Sequence, residues 1–186
     1  MKIMVFLHGT VIMHRNALDR SREERVRQVL EGDESLHDFA SYVPVGEAVR
    51  KLRTWQSQGA EILYLSSHKK VENVEKDKAV LQTYGFPSGP VFFRQARESY
   101  GQVAERALPD ILVEDDCESI GGEREMTYPG IKPELKARIK SIVVQEFGGI
   151  DHLPDDLSSL LHYSRFSKAS PLSAEDKGLV TESQSH

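Results

Sequence analysis

Five short apolar runs recur through the first 150 residues of the chain, and longer stretches with helical spacing separate them. Each run is rich in Val, Ile, Leu or Phe and lacks the alternation with polar residues that a half-exposed strand shows. This pattern is typical of strands that are buried on both faces of a parallel sheet. The runs are Ile3–Leu7, Ile62–Leu65, Val91–Phe93, Ile111–Glu114 and Ile142–Val144. Such strand–helix–strand repetition predicts a three-layer, doubly wound α/β fold of the Rossmann type.

Helices are predicted between these strands, where apolar residues recur three and four positions apart. The predicted helices occupy residues 45–59, 71–85 and 99–109, and glycine or proline marks the end of each. Right-handed crossovers then place the loops that follow the strands along one edge of the sheet. Because folds of this class bind their ligands at that edge, we expect the functional residues there.

Two segments fall outside this alternation. Residues 14–42 interrupt the first crossover, and Ser21-Arg22-Glu23-Glu24 within them is a capping box that opens a short helix. Residues 165–186 contain five serines and few large apolar side chains, which predicts a disordered tail. The sequence therefore predicts one domain over residues 1–164, with a small, cap-like helical insertion at 14–42.

Composition excludes several classes of protein. A net charge of −5 does not indicate a basic surface that would bind nucleic acid or an anionic membrane. No apolar stretch approaches the roughly 20 residues that span a bilayer. The single cysteine, Cys117, excludes an internal disulfide and, with an N-terminus unlike a signal peptide, predicts a cytoplasmic protein. The sequence carries no signal for an oligomeric state.

The first strand runs into Phe6-Leu7-His8-Gly9-Thr10, and this segment resembles the first motif of the haloacid dehalogenase (HAD) superfamily, an apolar strand followed by Asp-x-Asp-Gly-Thr. Phe6 and His8 stand at the positions of the two aspartates. In that family the first aspartate attacks phosphorus and the second carries the proton of the leaving group. The resemblance implies a phosphoryl-transfer scaffold that has lost its aspartyl nucleophile.

Three later segments follow in the family's order, so the resemblance covers about residues 1–150. The second strand leads into Ser66 and Ser67, and the resemblance implies that Ser66 donates a hydrogen bond to a phosphate oxygen; Thr10 and Ser67 are further candidate contacts. Arg97 best matches the family's cation, which could grip phosphate bidentately, and Arg94 is the alternative. A helix-capping role for the serines and a surface position for Arg97 stay open.

The fourth strand ends in Asp115 and Asp116, and the resemblance implies that this pair holds Mg²⁺. With Phe6 in place of a carboxylate, the candidate metal ligands are Asp115, Asp116 and His8. His8 also titrates near neutrality, so His8 and Asp116 are the candidate catalytic residues. His68 follows the second strand, and two imidazoles with carboxylates would favour Zn or Mn over Mg.

A HAD-like sheet places its first strand between the second and the fourth, so we expect His8, His68, Asp115 and Asp116 to meet. Two functions then fit the sequence. The first is a phosphoesterase-type hydrolase with a non-standard mechanism through His8, the Asp115/Asp116 pair and a divalent metal. The second is an inactive homologue that binds a ligand or a protein. Both imply a phosphate-bearing small molecule or partner at the site and no organic cofactor, and the fold does not decide between them.

Overall fold

A computed structural model describes residues 1–164 of the chain, and its strands and helices alternate as predicted. In chain order the strands are β1 (Lys2–Phe6), β2 (Ile12–His14), β3 (Tyr42–Pro44), β4 (Glu61–Leu65), β5 (Val91–Phe92), β6 (Ile111–Asp115) and β7 (Lys140–Val144). The helices are α1 (Arg22–Leu30), α2 (Ala48–Ser57), α3 (Val71–Thr83), α4 (Tyr100–Ala107), α5 (Pro133–Lys136) and α6 (Leu157–Leu161).

The central sheet has five parallel strands in the order β5-β4-β1-β6-β7. The five predicted apolar runs are these five strands, and the predicted α/β class is confirmed. β1 pairs with β4 on one side and with β6 on the other, as the resemblance implied. The loops that follow the three central strands therefore emerge side by side at one edge of the sheet.

Each face of the sheet is covered by helices, because successive side chains of a strand point to opposite faces. Ile3 and Val5 of β1 face a core shared with α2, α3 and α6, whereas Met4 and Phe6 face a second core shared with α4. Trp55 of α2 is fully buried in the first core, and its indole N–H donates to the Pro154 carbonyl over 2.9 Å. This arrangement gives the predicted three layers.

Residues 15–41 lie between β2 and β3, which pair antiparallel outside the main sheet. The predicted capping box is present at the start of α1, where the Ser21 hydroxyl accepts from the Glu24 N–H and the Glu24 carboxylate accepts from the Ser21 N–H. The β2–β3 pair was not predicted, since strands of three residues carry too short a pattern to read.

Two further expectations concern membrane-spanning helices and the C-terminal segment. Within residues 1–164 no helix is long and apolar enough to cross a bilayer. The disorder predicted for residues 165–186 lies outside the residues that the structure describes.

Candidate functional site

A cavity of about 340 Å³ opens where the central strands end. The segment after β1 contributes Phe6, His8 and Gly9, and the loop after β4 contributes Ser67. The 15–41 segment closes the opposite side with α1 and the turns that follow it, and further walls come from α4 and from the loops after β6 and β7. The cavity therefore lies at the edge of the sheet where the topology predicts a ligand site.

His8 and His68 lie against one carboxylate, that of Asp77 on α3. The His8 Nε2 is 3.1 Å from the Asp77 Oδ1, and the His68 Nδ1 is 3.0 Å from the Asp77 Oδ2. The two imidazole rings are 4.6 Å apart, edge to face. Asp77 is fully buried, so its carboxylate depends on these donors for the hydrogen bonds that water would otherwise supply.

The serines after β4 complete this network. The Ser66 hydroxyl donates to the Asp77 Oδ2 over 2.6 Å and accepts from the His68 N–H. Ser67 lies one residue further into the cavity, and its Oγ is 2.8 Å from the His8 Nδ1. Neither serine caps a helix, because α3 begins at Val71 after an N-cap residue without a side-chain bond. Ser66 is buried in the network, and Ser67 is the serine that reaches the cavity.

The electrostatics of the network keep Asp77 ionised. Burial by itself would raise the pKa of Asp77, but hydrogen bonds from His68 and His8, with that from Ser66, outweigh it and hold the pKa well below its usual range. The ionised carboxylate is therefore an acceptor from all three side chains.

This lowered pKa predicts a pH-dependent contribution to stability. The folded chain releases the Asp77 proton more readily than the unfolded chain, so the contribution is complete above the unfolded pKa, near 4, and is lost as pH falls toward the folded pKa. In urea titrations between pH 6 and pH 3, the free-energy difference between wild type and Asp77→Asn should shrink at the acid end. A difference that stays constant would contradict the assignment.

Asp77 was missed at the sequence level, although a signal was present. It stands on α3 among Val74, Val80 and Leu81, the buried face of the helix. An acid on an apolar stripe either receives hydrogen bonds or stays uncharged, so its position marks a polar network.

A second group of polar side chains follows β6 and β7. Oxygen atoms of Asp115, Asp116 and Glu146 lie within 4.8 Å of one another. Asp115 and Glu146 are buried, and both line the cavity. Glu146 was also missed, since it lies two residues after the end of β7 and belongs to none of the four segments that carry the resemblance. Three carboxylates so close together form a candidate site for a hard cation.

Hydrogen bonds orient these acids. The Thr10 hydroxyl donates to the Asp115 Oδ2 over 2.7 Å, and the Cys117 N–H donates to the Asp115 Oδ1 over 2.9 Å. Both Glu146 oxygens accept from Ser119, one from its N–H and one from its hydroxyl. Thr10 is fully buried, so its hydroxyl positions Asp115 instead of facing the cavity.

The charges of this group are only partly compensated. Burial raises the pKa of Asp115, and the bonds from Thr10 and Cys117 offset part of that effect. Burial likewise raises the pKa of Glu146, and the neighbouring acids add to it. Because burial and the neighbouring charges disfavour ionisation of these carboxylates, the three acids together should bind either a proton or a cation.

The predicted site residues are thus brought together as two clusters instead of one. His8 and His68 join Asp77, which we call the histidine cluster, and Asp115 and Asp116 join Glu146, which we call the acid cluster. The backbone of Gly9 links them: its φ is +84°, and a Cβ there would stand 3.1 Å from the Asp115 Oδ2. A side chain at this position would push directly on the acid cluster.

The two arginine candidates differ in position. Arg97 is exposed and does not line the cavity. Arg94 lies closer: its guanidinium donates to the Ser67 carbonyl over 3.4 Å and stacks 3.8 Å above the Tyr100 ring. Phe6, which stands where the resemblance implies an aspartate, packs edge-on against the same Tyr100 ring.

Comparison with known proteins finds similarity only at the level of structure. The sequence matches no family model and no curated protein. A class C acid phosphatase from Bacillus anthracis superposes with a TM-score of 0.52 at 16% identity, covering 80% of this chain and 67% of the phosphatase. Its structure with tungstate bound gives 0.50 at 18% identity, covering 91% and 74%.

A chain of the Pnkp1/Rnl/Hen1 RNA repair complex superposes with a TM-score of 0.48 at 12% identity. The match covers 78% of this chain and 43% of that one, so this chain spans less than half of that protein. At 16% and 18% identity, the likeness to the two acid phosphatase structures shows the fold alone. The chain therefore has an α/β fold like that of the class C acid phosphatase.

Proposed function

We propose that this chain is a divergent HAD-superfamily protein that binds a phosphate-bearing small molecule in the cavity and hydrolyses its ester with the help of a divalent cation. The observation that carries the proposal is the acid cluster: one carboxylate oxygen from each of its three residues lies within 4.8 Å of the others, and Asp115 and Glu146 line the cavity. The acid-phosphatase-like fold supports it. We place the activity in the cytoplasm, where the buried Cys117 would remain reduced.

The acid cluster fits Mg²⁺ or Mn²⁺ by the chemistry of its donors. Asp115, Asp116 and Glu146 offer only carboxylate oxygens, the ligands that hard cations prefer. A bound divalent cation would neutralise phosphate charge that the three acids would otherwise repel. The histidine cluster fits a metal less well, because both of its imidazoles already face the Asp77 oxygens.

The remaining walls suit a small substrate with an apolar part. Phe6, Phe39, Tyr42 and Tyr100 line the cavity, and its volume is that of a small-molecule pocket. Aromatic walls would hold the organic portion of an ester while its phosphate faces the acid cluster and the Ser67 loop. We propose that Arg94, in place of Arg97, is the cation near the phosphate, because its guanidinium donates to the Ser67 carbonyl.

His8 is the proposed proton carrier. Its imidazole faces the cavity, with the ionised Asp77 behind it to stabilise the imidazolium when a proton arrives. The position corresponds to that of the family's proton-carrying aspartate.

A second function is favoured by one observation, the Phe6 ring that fills the nucleophile position and packs on Tyr100. A chain that had lost hydrolysis would keep the cavity and bind the phosphorylated ligand without turnover. Aryl phosphate hydrolysis measured in parallel with Mg²⁺, Mn²⁺ and Zn²⁺ separates the two. Turnover supports the hydrolase; its absence with all three metals, together with a rise in melting temperature on adding inorganic phosphate, supports the binder.

Asp116→Asn tests the metal assignment. The asparagine oxygen can still accept from the Glu146 N–H, as the Asp116 Oδ1 does over 3.1 Å, but the charge is lost. We expect the affinity for Mg²⁺ to fall at least about tenfold, the lower end of what loss of an outer-shell partner alone causes. Thermal-shift titration with MgCl₂ measures it, with the exposed Asp19→Asn as control. Equal Mg²⁺ affinity in Asp116→Asn and wild type would rule out the acid cluster as the metal site.

A further inference from the structure

We infer that Ser67 is the nucleophile of this site, with His8 as its general base and Asp77 as the residue that orients His8. The phosphate ester as substrate rests on the proposed function, whereas the three residues stand on their own geometry. The nucleophile would then come from the loop after β4, beside the strand whose end holds Phe6.

The three side chains follow one another at hydrogen-bond distance. The Ser67 Oγ is 2.8 Å from the His8 Nδ1, and the His8 Nε2 is 3.1 Å from the Asp77 Oδ1. Hydroxyl, imidazole and buried carboxylate in this order form the arrangement that activates serine in hydrolases of unrelated folds. Such a triad is recognised by geometry and roles rather than by sequence position.

The bonds to Asp77 determine which nitrogen of His8 is the base. An ionised carboxylate only accepts, so the His8 Nε2 must carry a proton and donate it to the Asp77 Oδ1. In the neutral imidazole the Nδ1 then holds the lone pair, and it is this atom that meets the Ser67 hydroxyl. The Ser67 N–H also approaches the His8 Nδ1, at 3.4 Å, which holds the serine backbone in place.

Burial separates the roles of the three residues. Ser67 and His8 line the cavity, whereas the Asp77 side chain is 1% exposed and lies behind them. Aromatic rings pack against both histidines: the ring centroids of Tyr42 and His8 are 5.3 Å apart, edge to face, and those of Phe39 and His68 are 4.1 Å apart. The carboxylate is therefore screened from water while the hydroxyl stays reachable, which is the arrangement that a nucleophile needs.

The reaction balances without a redox partner. The Ser67 Oγ forms a bond to phosphorus as the bond from phosphorus to the ester oxygen breaks. The Ser67 proton passes to the His8 Nδ1 and then to the departing oxygen, so the alcohol leaves neutral. Water next attacks the phosphoserine, His8 takes its proton, and the Oγ–phosphorus bond breaks. The proton returns to the Ser67 Oγ, and inorganic phosphate is released.

A fluorophosphonate probe tests the nucleophile directly, because serine attack forms an oxygen–phosphorus bond, expels fluoride and gives a stable adduct. Incubation of the full chain should add the mass of one probe less HF, and peptide mapping should place the adduct on Ser67. Ser67→Ala should lose the adduct, whereas the exposed Ser88→Ala should be labelled like wild type. His8→Gln should label about 10²- to 10⁴-fold more slowly, the contribution of a general base.

Results for the labelling and for hydrolysis are independent. An adduct on Ser67 with no phosphate ester turned over supports the nucleophile and removes the proposed function. Turnover of aryl phosphate by Ser67→Ala at the wild-type rate removes the nucleophile and leaves the proposed function. Absence of an adduct on wild-type Ser67, or an adduct on another residue, overturns the inference without requiring any variant to fold.

Discussion

Replacement of Asp77 by asparagine is expected to slow fluorophosphonate labelling of Ser67 by about 10⁴-fold, the size of loss that a wrong histidine tautomer causes in serine triads. An asparagine offers one acceptor where the carboxylate offers two oxygens, and its amide donates. The His8 Nε2, 3.1 Å from this side chain, would then accept from that amide. Its Nδ1 would carry the proton and could no longer take one from Ser67.

The spectroscopic readout separates orientation from general damage to the fold. In ¹⁵N NMR of the imidazoles, wild-type His8 should be protonated at Nε2, and the Asp77→Asn variant at Nδ1. Glu75→Gln is the matched control, because Glu75 is an exposed acid on the same helix. The role assigned to Asp77 fails if the variant labels within tenfold of wild type, or if the His8 tautomer does not change.

The sheet could be predicted from sequence because its signal is local. Five strands buried on both faces leave five uninterrupted apolar runs, and the structure has a strand at each of them. β1 between β4 and β6 followed from the resemblance rather than from periodicity. The β2–β3 pair left no such signal, since each strand has only three residues and contributes one side chain, Met13 or Val43, to a separate small apolar cluster.

The candidate site could be predicted only in part. Some of its residues lie on elements whose orientation depends on tertiary packing. His8, Ser67 and Asp115 follow strands, and the parallel topology alone brings them to one edge. Asp77 comes from the side of a helix, so its meeting with His8 depends on how α3 docks on the sheet. The choice between Arg94 and Arg97 depends on a loop that has no periodic pattern, and the structure turns Arg94 toward Ser67.

The sequence predicted that proton transfer and metal binding share one set of residues, whereas the structure separates the candidates for these roles into two clusters. The histidine cluster has a buried anion matched by three donors, which suits orientation and proton transfer. The acid cluster has more negative charge than its donors compensate, which suits a cation. His8 belongs to one cluster, and a Cβ on its neighbour Gly9 would press on the other, so the segment after β1 connects the two clusters.

Substitution of Gly101 by alanine is expected to lower the free energy of unfolding by about 3 kcal/mol or more, at or beyond the upper end of what overpacking usually causes. Helix propensity alone predicts the opposite, a gain of up to about 1 kcal/mol for Gly→Ala within α4. Packing decides, since a Cβ on Gly101 would stand 2.4 Å from the Gly130 carbonyl oxygen. That contact is with backbone, so no side chain can swing aside.

The turn at Tyr128–Gly130 cannot easily retreat from α4. The buried Glu114 of β6 accepts from the Thr127 N–H over 2.6 Å and from the Tyr128 N–H over 2.9 Å, which ties the turn to the central sheet. The strain would therefore fall on α4, which carries the cavity residue Tyr100. Ligand affinity should weaken along with stability.

Gly130→Ala is the matched control, because it adds the same methyl group on the other side of the same contact. Its Cβ would meet nothing closer than the Gly101 Cα at 3.7 Å, an ordinary van der Waals distance. We expect a change within about 0.5 kcal/mol, as for substitutions that disturb no packing. Urea titrations of both variants give the comparison. A Gly101→Ala variant as stable as wild type would contradict this prediction, because the gain in helix propensity alone could not offset a contact of this kind.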